Sequence, residues 1–241
     1  GVGKSTFLSS SLIPRMHNVI LSDKTALKRA VKSFSWNRKG DILLSKIIPF
    51  CGGSVAVKAS SFLANGEARR NFSDYIHPYE SLCAIEWNGL GECLSASSRL
   101  KSAYFFLSTL YRESFIERHV GDYTVLFDDS VWQLVYGFAK REGLEEVPLP
   151  RAVLYFTASD DCVAERIQKR CESGRTNTAH MGLSSSDIRK ESDKDARNAE
   201  RKVEYFRSRG VPVFTIDLTE PDPYHDGMMD EIVMDLMTLN T

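Results

Sequence analysis

Six consecutive residues, Gly1-Val2-Gly3-Lys4-Ser5-Thr6, constrain this chain more than the rest of it. They fit the end of the loop pattern G-x-x-x-x-G-K-[ST], with Gly3, Lys4 and Ser5 as its last fixed positions and Gly1 and Val2 as its fourth and fifth. Small residues let successive backbone N–H groups turn inward around an anion. The start of the following helix adds free donors and a favourable dipole. Lys4 brings a mobile positive charge for β- and γ-phosphates, and the Ser5 hydroxyl suits magnesium. Thr6 is placed to reach an α-phosphate. Residues 1–6 are therefore expected to bind the phosphates of ATP together with Mg2+. The first three loop residues and the strand that feeds them are expected to precede Gly1, so that the chain reads as truncated within this loop. That strand normally lies in the middle of a parallel sheet buried on both faces.

The remainder reads as alternating strand and helix. A helix is expected over 5–13, ending near Pro14. Residues 19–21 are compatible with strand or helix, and Leu27, Val31 and Phe34 predict a helix over 24–35. Residues 36–75 hold Gly52-Gly53 and Gly66 and read as loops with short helices, and Pro78 is placed to start a helix to about Trp87. A long apolar stripe predicts a helix over 98–119, followed by a strand over 123–127 that runs into Asp128-Asp129. Further on, helices are expected over 131–142, 160–171, 187–209 and 228–239, and strands over 152–157 and 211–218. This order argues for an α/β fold with a parallel sheet.

Composition narrows the class. With 241 residues the chain suffices for one sizeable core, and its net charge of -1 gives no sign of a nucleic-acid surface. Five cysteines without a Cys-x-x-Cys pair argue against a disulfide framework or a zinc site, and a reducing cytoplasmic setting is expected. No apolar run reaches the ~18 residues of a membrane helix, and no membrane partner is expected.

A magnesium ion held at the loop needs an acidic partner at the tip of a neighbouring strand. Asp128 directly follows the strand over 123–127 and is the candidate magnesium residue. Asp129 comes next, at the edge of a parallel sheet where ligands bind, and is the candidate base toward a substrate hydroxyl. The alternative for this pair is a helix cap, with Asp129 or Ser130 capping the helix from Val131. Arg166 and Arg170 share a helix face, and Arg175 follows in a glycine turn. Arginines stabilise the charge that phosphoryl transfer spreads over the transferred group. The competing reading is a solvated basic face. Arg189, Arg197 and Arg201 equally suit pairing with acidic neighbours along their own helix. The five histidines are scattered without ligand spacing, and Asp23 reads as a turn or cap.

Together, the phosphate loop, the strand ending in Asp128-Asp129 and the strand–helix over 152–170 resemble the nucleoside and nucleotide kinases of the P-loop class. Glu165-Arg166-Ile167, Arg170 and Ser173-Gly174-Arg175 are similar to the entry to the lid of adenylate-kinase-like enzymes, and Arg201-Lys202-Val203-Glu204-Tyr205 to the segment that leaves it. Residues 213–217 followed by Pro221 are similar to the last strand and the loop near the adenine. The resemblance covers residues 1–15 and about 120–241. It implies a three-layer P-loop NTPase fold, a parallel sheet flanked by helices, in a single domain over 1–241, with a lid over 171–200 and an acceptor-binding region over 36–97. It implies that Arg170, Arg175 and Arg201 close over the phosphates. The expected activity is transfer of the γ-phosphate of Mg-ATP to a small-molecule acceptor such as a nucleoside, nucleotide or similar alcohol. Asp128-Asp129-Ser130 departs from the Asp-Arg-Tyr or Glu-Arg-Ser of many such kinases, and 36–97 carries no known acceptor signature. The alternative is an ATPase or nucleotide-gated regulatory module acting on a macromolecular partner. The absence of an Asn-Lys-x-Asp motif argues against a GTPase, and the acidic pair argues against a sulfotransferase.

Overall fold

A computed structural model describes residues 7–8, 12, 20–92, 95–121, 123–128, 130–135, 147–173, 184–219 and 226–238. The fold is mixed α/β, mostly helical, with short parallel strands. It divides into two compact units, Met16–Pro148 and Gly1–Arg15 with Leu149–Thr241.

In the unit Met16–Pro148, strand β1 (Ile20–Ser22) leads into helix α1 (Asp23–Ser33). Helices α2 (Lys39–Ile47), α3 (Gly53–Arg70), α4 (Phe72–Ile76), α5 (Glu80–Gly89) and α6 (Ala96–His119) follow. Strand β2 (Thr124–Leu126) and the short helix α7 (Val131–Leu134) close the unit. β1 and β2 pair in parallel, Ile20 with Thr124 and Ser22 with Leu126. Residues 19–21, open between strand and helix in sequence, thus pair as a strand. Helices α1, α3 and α6 pack on one another and bury Leu27, Val31, Leu63, Leu110 and Phe115. Phe115 sits in an aromatic cluster with Phe34, Trp36, Tyr75 and His119, at ring-centroid distances of 5.4, 6.0, 6.1 and 4.7 Å.

The middle of this unit corrects the expectation of loops with short helices over 36–75. Gly53–Arg70 is one helix of 18 residues. Its buried side is Leu63 with the small residues Ala56, Ser60, Ala64 and Ala68, which let α1 and α6 approach closely, while Val55 and Phe62 face outward. The helix expected over 131–142 is observed only as Val131–Leu134, since Val135 is extended; residues 136–142 lie outside the described residues.

In the second unit, β3 (Val153–Thr157), helix α8 (Asp160–Glu172), helix α9 (Ser185–Ser208), β4 (Val213–Asp217) and helix α10 (Asp226–Thr238) follow the expected alternation. β3 and β4 pair in parallel, Val153 with Val213 through Thr157 with Asp217. From the N-terminal segment, Phe7, Leu8 and Leu12 are buried. Phe7 packs edge-on against Phe156 of β3, with centroids 5.4 Å apart.

Five helices open on a serine whose hydroxyl accepts a backbone N–H of the first turn: Ser22, Ser95, Ser130, Ser159 and Ser184. Helix α9 closes with Gly210 in the left-handed region at φ 74°. The N–H groups of Gly210 and Val211 donate to the carbonyls of Arg207 and Phe206 at 3.1 and 3.0 Å. This is the double bond pattern of a Schellman cap. A Cβ at Gly210 meets no atom, so only the backbone conformation opposes a side chain there. Gly210→Ala is expected to destabilise this unit by about 1–2 kcal/mol. A denaturation curve matching that of the unchanged protein would contradict this account of the cap.

Candidate functional site

The C-terminal ends of β1 and β2 bring two acidic residues of the unit Met16–Pro148 to one edge. The register sets Ser22 beside Leu126. Asp23 therefore begins one residue past the end of β1, and Asp128 two residues past the end of β2. In a parallel pair both carboxylates leave at the same edge, the edge where α/β sheets bind ligands. Asp23 is 6% exposed, and Lys24 N–H donates to its Oδ1 at 2.8 Å. Burial raises the Asp23 pKa above the usual aspartate value. Arg112 of α6, 4.0 Å away, and Lys24 oppose the rise, while the charge of Asp128 adds to it. The sequence reads Asp23 only as a turn or cap. In fact the cap is Ser22, whose Oγ accepts the Thr25 N–H at 3.3 Å, and Asp23 is a buried carboxylate. Its one available sequence signal is the position directly after a short apolar strand.

The turn beyond β2 is tied down from several sides. Ser130 Oγ accepts the Trp132 N–H at 3.4 Å, so the cap foreseen for Ser130 is present. Gln133 Nε2 donates to the Asp128 carbonyl at 3.1 Å. Glu113 of α6 accepts the Val131 N–H at 2.7 Å and the Ser130 hydroxyl at 3.2 Å. Glu113 is 3% exposed. Burial pushes its pKa up to about 8, and nearby Glu117 adds to the rise. The bonds from Val131 and Ser130 and the charge of Arg112 act in the opposite direction. Within the sequence, Glu113 is one acid on a long amphipathic helix and nothing distinguishes it from a solvated residue.

A hard divalent cation takes oxygen ligands and keeps part of its water shell. Asp23 and Asp128, at one edge of the parallel pair, are the described residues that could supply such oxygen ligands. Among the described residues no group of three or more His, Cys, Asp or Glu is gathered for a metal.

In the second unit, the ends of β3 and β4 form a polar network. Leu218 N–H donates to the Thr157 carbonyl at 2.7 Å. Ser159 N–H donates to Thr219 Oγ1 at 2.9 Å. Thr219 N–H and Oγ1 both donate to Asp217 Oδ1, at 2.9 and 2.6 Å, and these bonds hold the Asp217 pKa below the usual range. Arg166 donates to the Leu218 carbonyl at 2.8 Å and so fastens α8 to the end of β4. Arg170, one turn further along α8, is exposed, as is Arg201 on α9. Arg189 pairs with Asp161 of α8 at 2.7 Å instead of with acids on its own helix. Gly1, Val2, Gly3, Lys4, Ser5, Thr6, Asp129 and Arg175 lie outside the described residues, as do residues 174–183 of the segment expected to form a lid; the rest of that segment belongs to the end of α8 and to α9. Among the described residues no helix is long and apolar enough to cross a membrane. Comparison with models of known protein families, with curated proteins and with solved structures found no significant match to this chain.

Proposed function

We propose that this protein is an ATP-dependent phosphotransferase of the P-loop class, with the three-layer arrangement of that class, acting on a small-molecule acceptor. The observation that carries the reading is the run Gly1-Val2-Gly3-Lys4-Ser5-Thr6 followed by Leu8 and Leu12, both buried and four positions apart in sequence, a spacing that suits one face of a helix. A phosphate loop needs such an anchored helix behind it. The edge of β1 and β2 supports the reading with Asp128 two residues beyond a parallel strand, the position from which an acid serves nucleotide-bound magnesium.

Residues 1–6 cradle the phosphates, and Lys4 neutralises charge on the β- and γ-groups. Ser5 and Asp128 are the residues that would hold Mg2+. When bound, the ion offsets the negative charge that builds on the phosphate oxygens. Asp129 receives the acceptor proton. Arg170, Arg175 and Arg201 add positive charge over the phosphates, a role compatible with the exposure of Arg170 and Arg201. Catalysis of this kind is positioning and electrostatics rather than covalent chemistry. The acceptor is a nucleoside, a nucleotide or a similar alcohol.

The test is incubation of the protein with Mg-ATP and pools of nucleosides, nucleotides and sugars, followed by mass spectrometry. A new phosphorylated compound is expected, and Lys4→Ala should lower its rate of formation about 10²–10³-fold. ATP binding without any phosphorylated product from these pools would count against the phosphotransferase.

One observation favours a second reading, an ATPase or nucleotide-gated module acting on a macromolecule. Leu43, Phe50 and Phe62 of the unit Met16–Pro148 are 62%, 89% and 69% exposed, an apolar exposure that suits contact with a partner. In that case phosphate is released without any small-molecule acceptor.

A further inference from the structure

Glu113 sits in the middle of α6, almost without contact to water. Glutamate is rarely buried to this degree unless it is paired. Both of its oxygens are directed at one short stretch of backbone on another element, the Ser130 hydroxyl and the Val131 N–H. These partners lie two and three residues past Asp128. The helix they begin has only four residues, too few to hold the turn by its own hydrogen bonds. Val131 and Trp132 are buried, and Gln133 reaches back to the Asp128 carbonyl. The turn that presents Asp128 is therefore hung between β2 on one side and the Glu113 carboxyl on the other. The preceding residue of α6, Arg112, faces Asp23 across 4.0 Å. One helix thus addresses both carboxylates of the edge, Asp23 by charge and the Asp128 turn by hydrogen bonds.

We propose that Glu113 is the positioning residue of this site: by holding Ser130 and Val131 it fixes the turn that aims Asp128 at magnesium-bound nucleotide. The inference rests on the phosphotransferase reading, in which Asp128 serves the magnesium. Glu113 itself touches neither ion nor substrate. Residues that orient metal-binding groups at one remove typically change metal affinity or activity by about 10–100-fold when lost.

Two substitutions in the whole protein separate positioning from simple burial. Glu113→Gln keeps an oxygen acceptor for the Val131 N–H. Glu113→Leu keeps the volume and removes both hydrogen bonds. The readouts are the Mg2+ concentration that half-saturates ATP binding, hydrogen exchange at the Val131 amide and the denaturation midpoint. Glu113→Leu is expected to raise the half-saturating Mg2+ about 10-fold and to lose protection at Val131 while remaining folded. Glu113→Gln should stay within about twofold of the unchanged protein, because the acceptor survives. A folded Glu113→Leu protein with an unchanged Mg2+ response overturns the proposal. If Glu113→Leu does not fold, Ser130→Ala carries the test: it removes one of the two bonds and should shift the Mg2+ response in the same direction, and no shift overturns the proposal. If the unchanged protein binds no ATP in the presence of Mg2+, the phosphotransferase reading falls and the role of Glu113 in it falls too. Exchange at Val131 then still reports whether Glu113 holds the turn.

Discussion

Between pH 5.5 and pH 8.5 the unit Met16–Pro148 is expected to lose stability, and Glu113→Gln is expected to remove most of that loss. Glu113 has an ordinary value of 4.5, raised to about 8 by burial. The folded state therefore binds its proton more tightly than the unfolded chain does. Stability linked to this proton is fully present below pH 4.5 and disappears as the pH rises through 8. The interval corresponds to at most about 5 kcal/mol. Glu117 and Asp23, whose values are also raised, act in the same sense, while Arg112 opposes both Glu113 and Asp23. Glutamine is neutral throughout and still offers an acceptor to Val131. The two proteins should have similar denaturation midpoints at pH 5.5, and Glu113→Gln should be the more stable at pH 8.5. All three tryptophans, Trp36, Trp87 and Trp132, belong to this unit, so their fluorescence during urea unfolding reports on it alone. Parallel pH profiles for the two proteins would show that Glu113 does not carry this proton.

Phe115→Ala is expected to cost about 3–5 kcal/mol, the usual cost of removing a fully buried phenyl ring. The ring is 0% exposed, and its neighbours Phe34, Trp36, Tyr75 and His119 come from three different segments. They cannot all close on the space it leaves. Phe105, ten residues earlier on the same helix, is 52% exposed, and Phe105→Ala should stay within about 0.5 kcal/mol. Comparable midpoints for the two variants would mean that the aromatic cluster is not the centre of this unit.

Those two phenylalanines also show where the sequence is legible. Over 98–119 the apolar stripe marks the helix, and Ser95 and Gly121 punctuate its ends, so it is foreseen to within two residues. β3, α8 and β4 are similarly plain, because short β-branched and aromatic runs alternate with serine-capped polar helices. Gly53–Arg70 is not, because its buried side holds one leucine among alanines and a serine while Val55 and Phe62 face outward. Hydrophobic periodicity then misses the face that packs. The site divides in the same way. Asp128 is legible because it ends a strand. Asp23 and Glu113 acquire meaning only from pairing and packing partners about 100 and 18 positions away, which local pattern cannot supply.

The strand pair that carries Asp23 and Asp128 has a consequence for the order of assembly. Ile20 and Thr124 are 104 positions apart, and each strand is three residues long. Val153 and Val213 are 60 apart, with five residues per strand. The closure entropies differ by only about 0.5 kcal/mol, but the shorter ladder has fewer bonds to set against its larger loop. Pairing of β1 with β2 therefore waits until the intervening helices have collapsed, and it is the step with the longest-range contact in that unit. The same logic runs in reverse under mild stress. The two-carboxylate edge should open as a local fluctuation before α1, α3 and α6 come apart, so that the alignment of Asp23 and Asp128 is lost while the helical core of this unit is still intact.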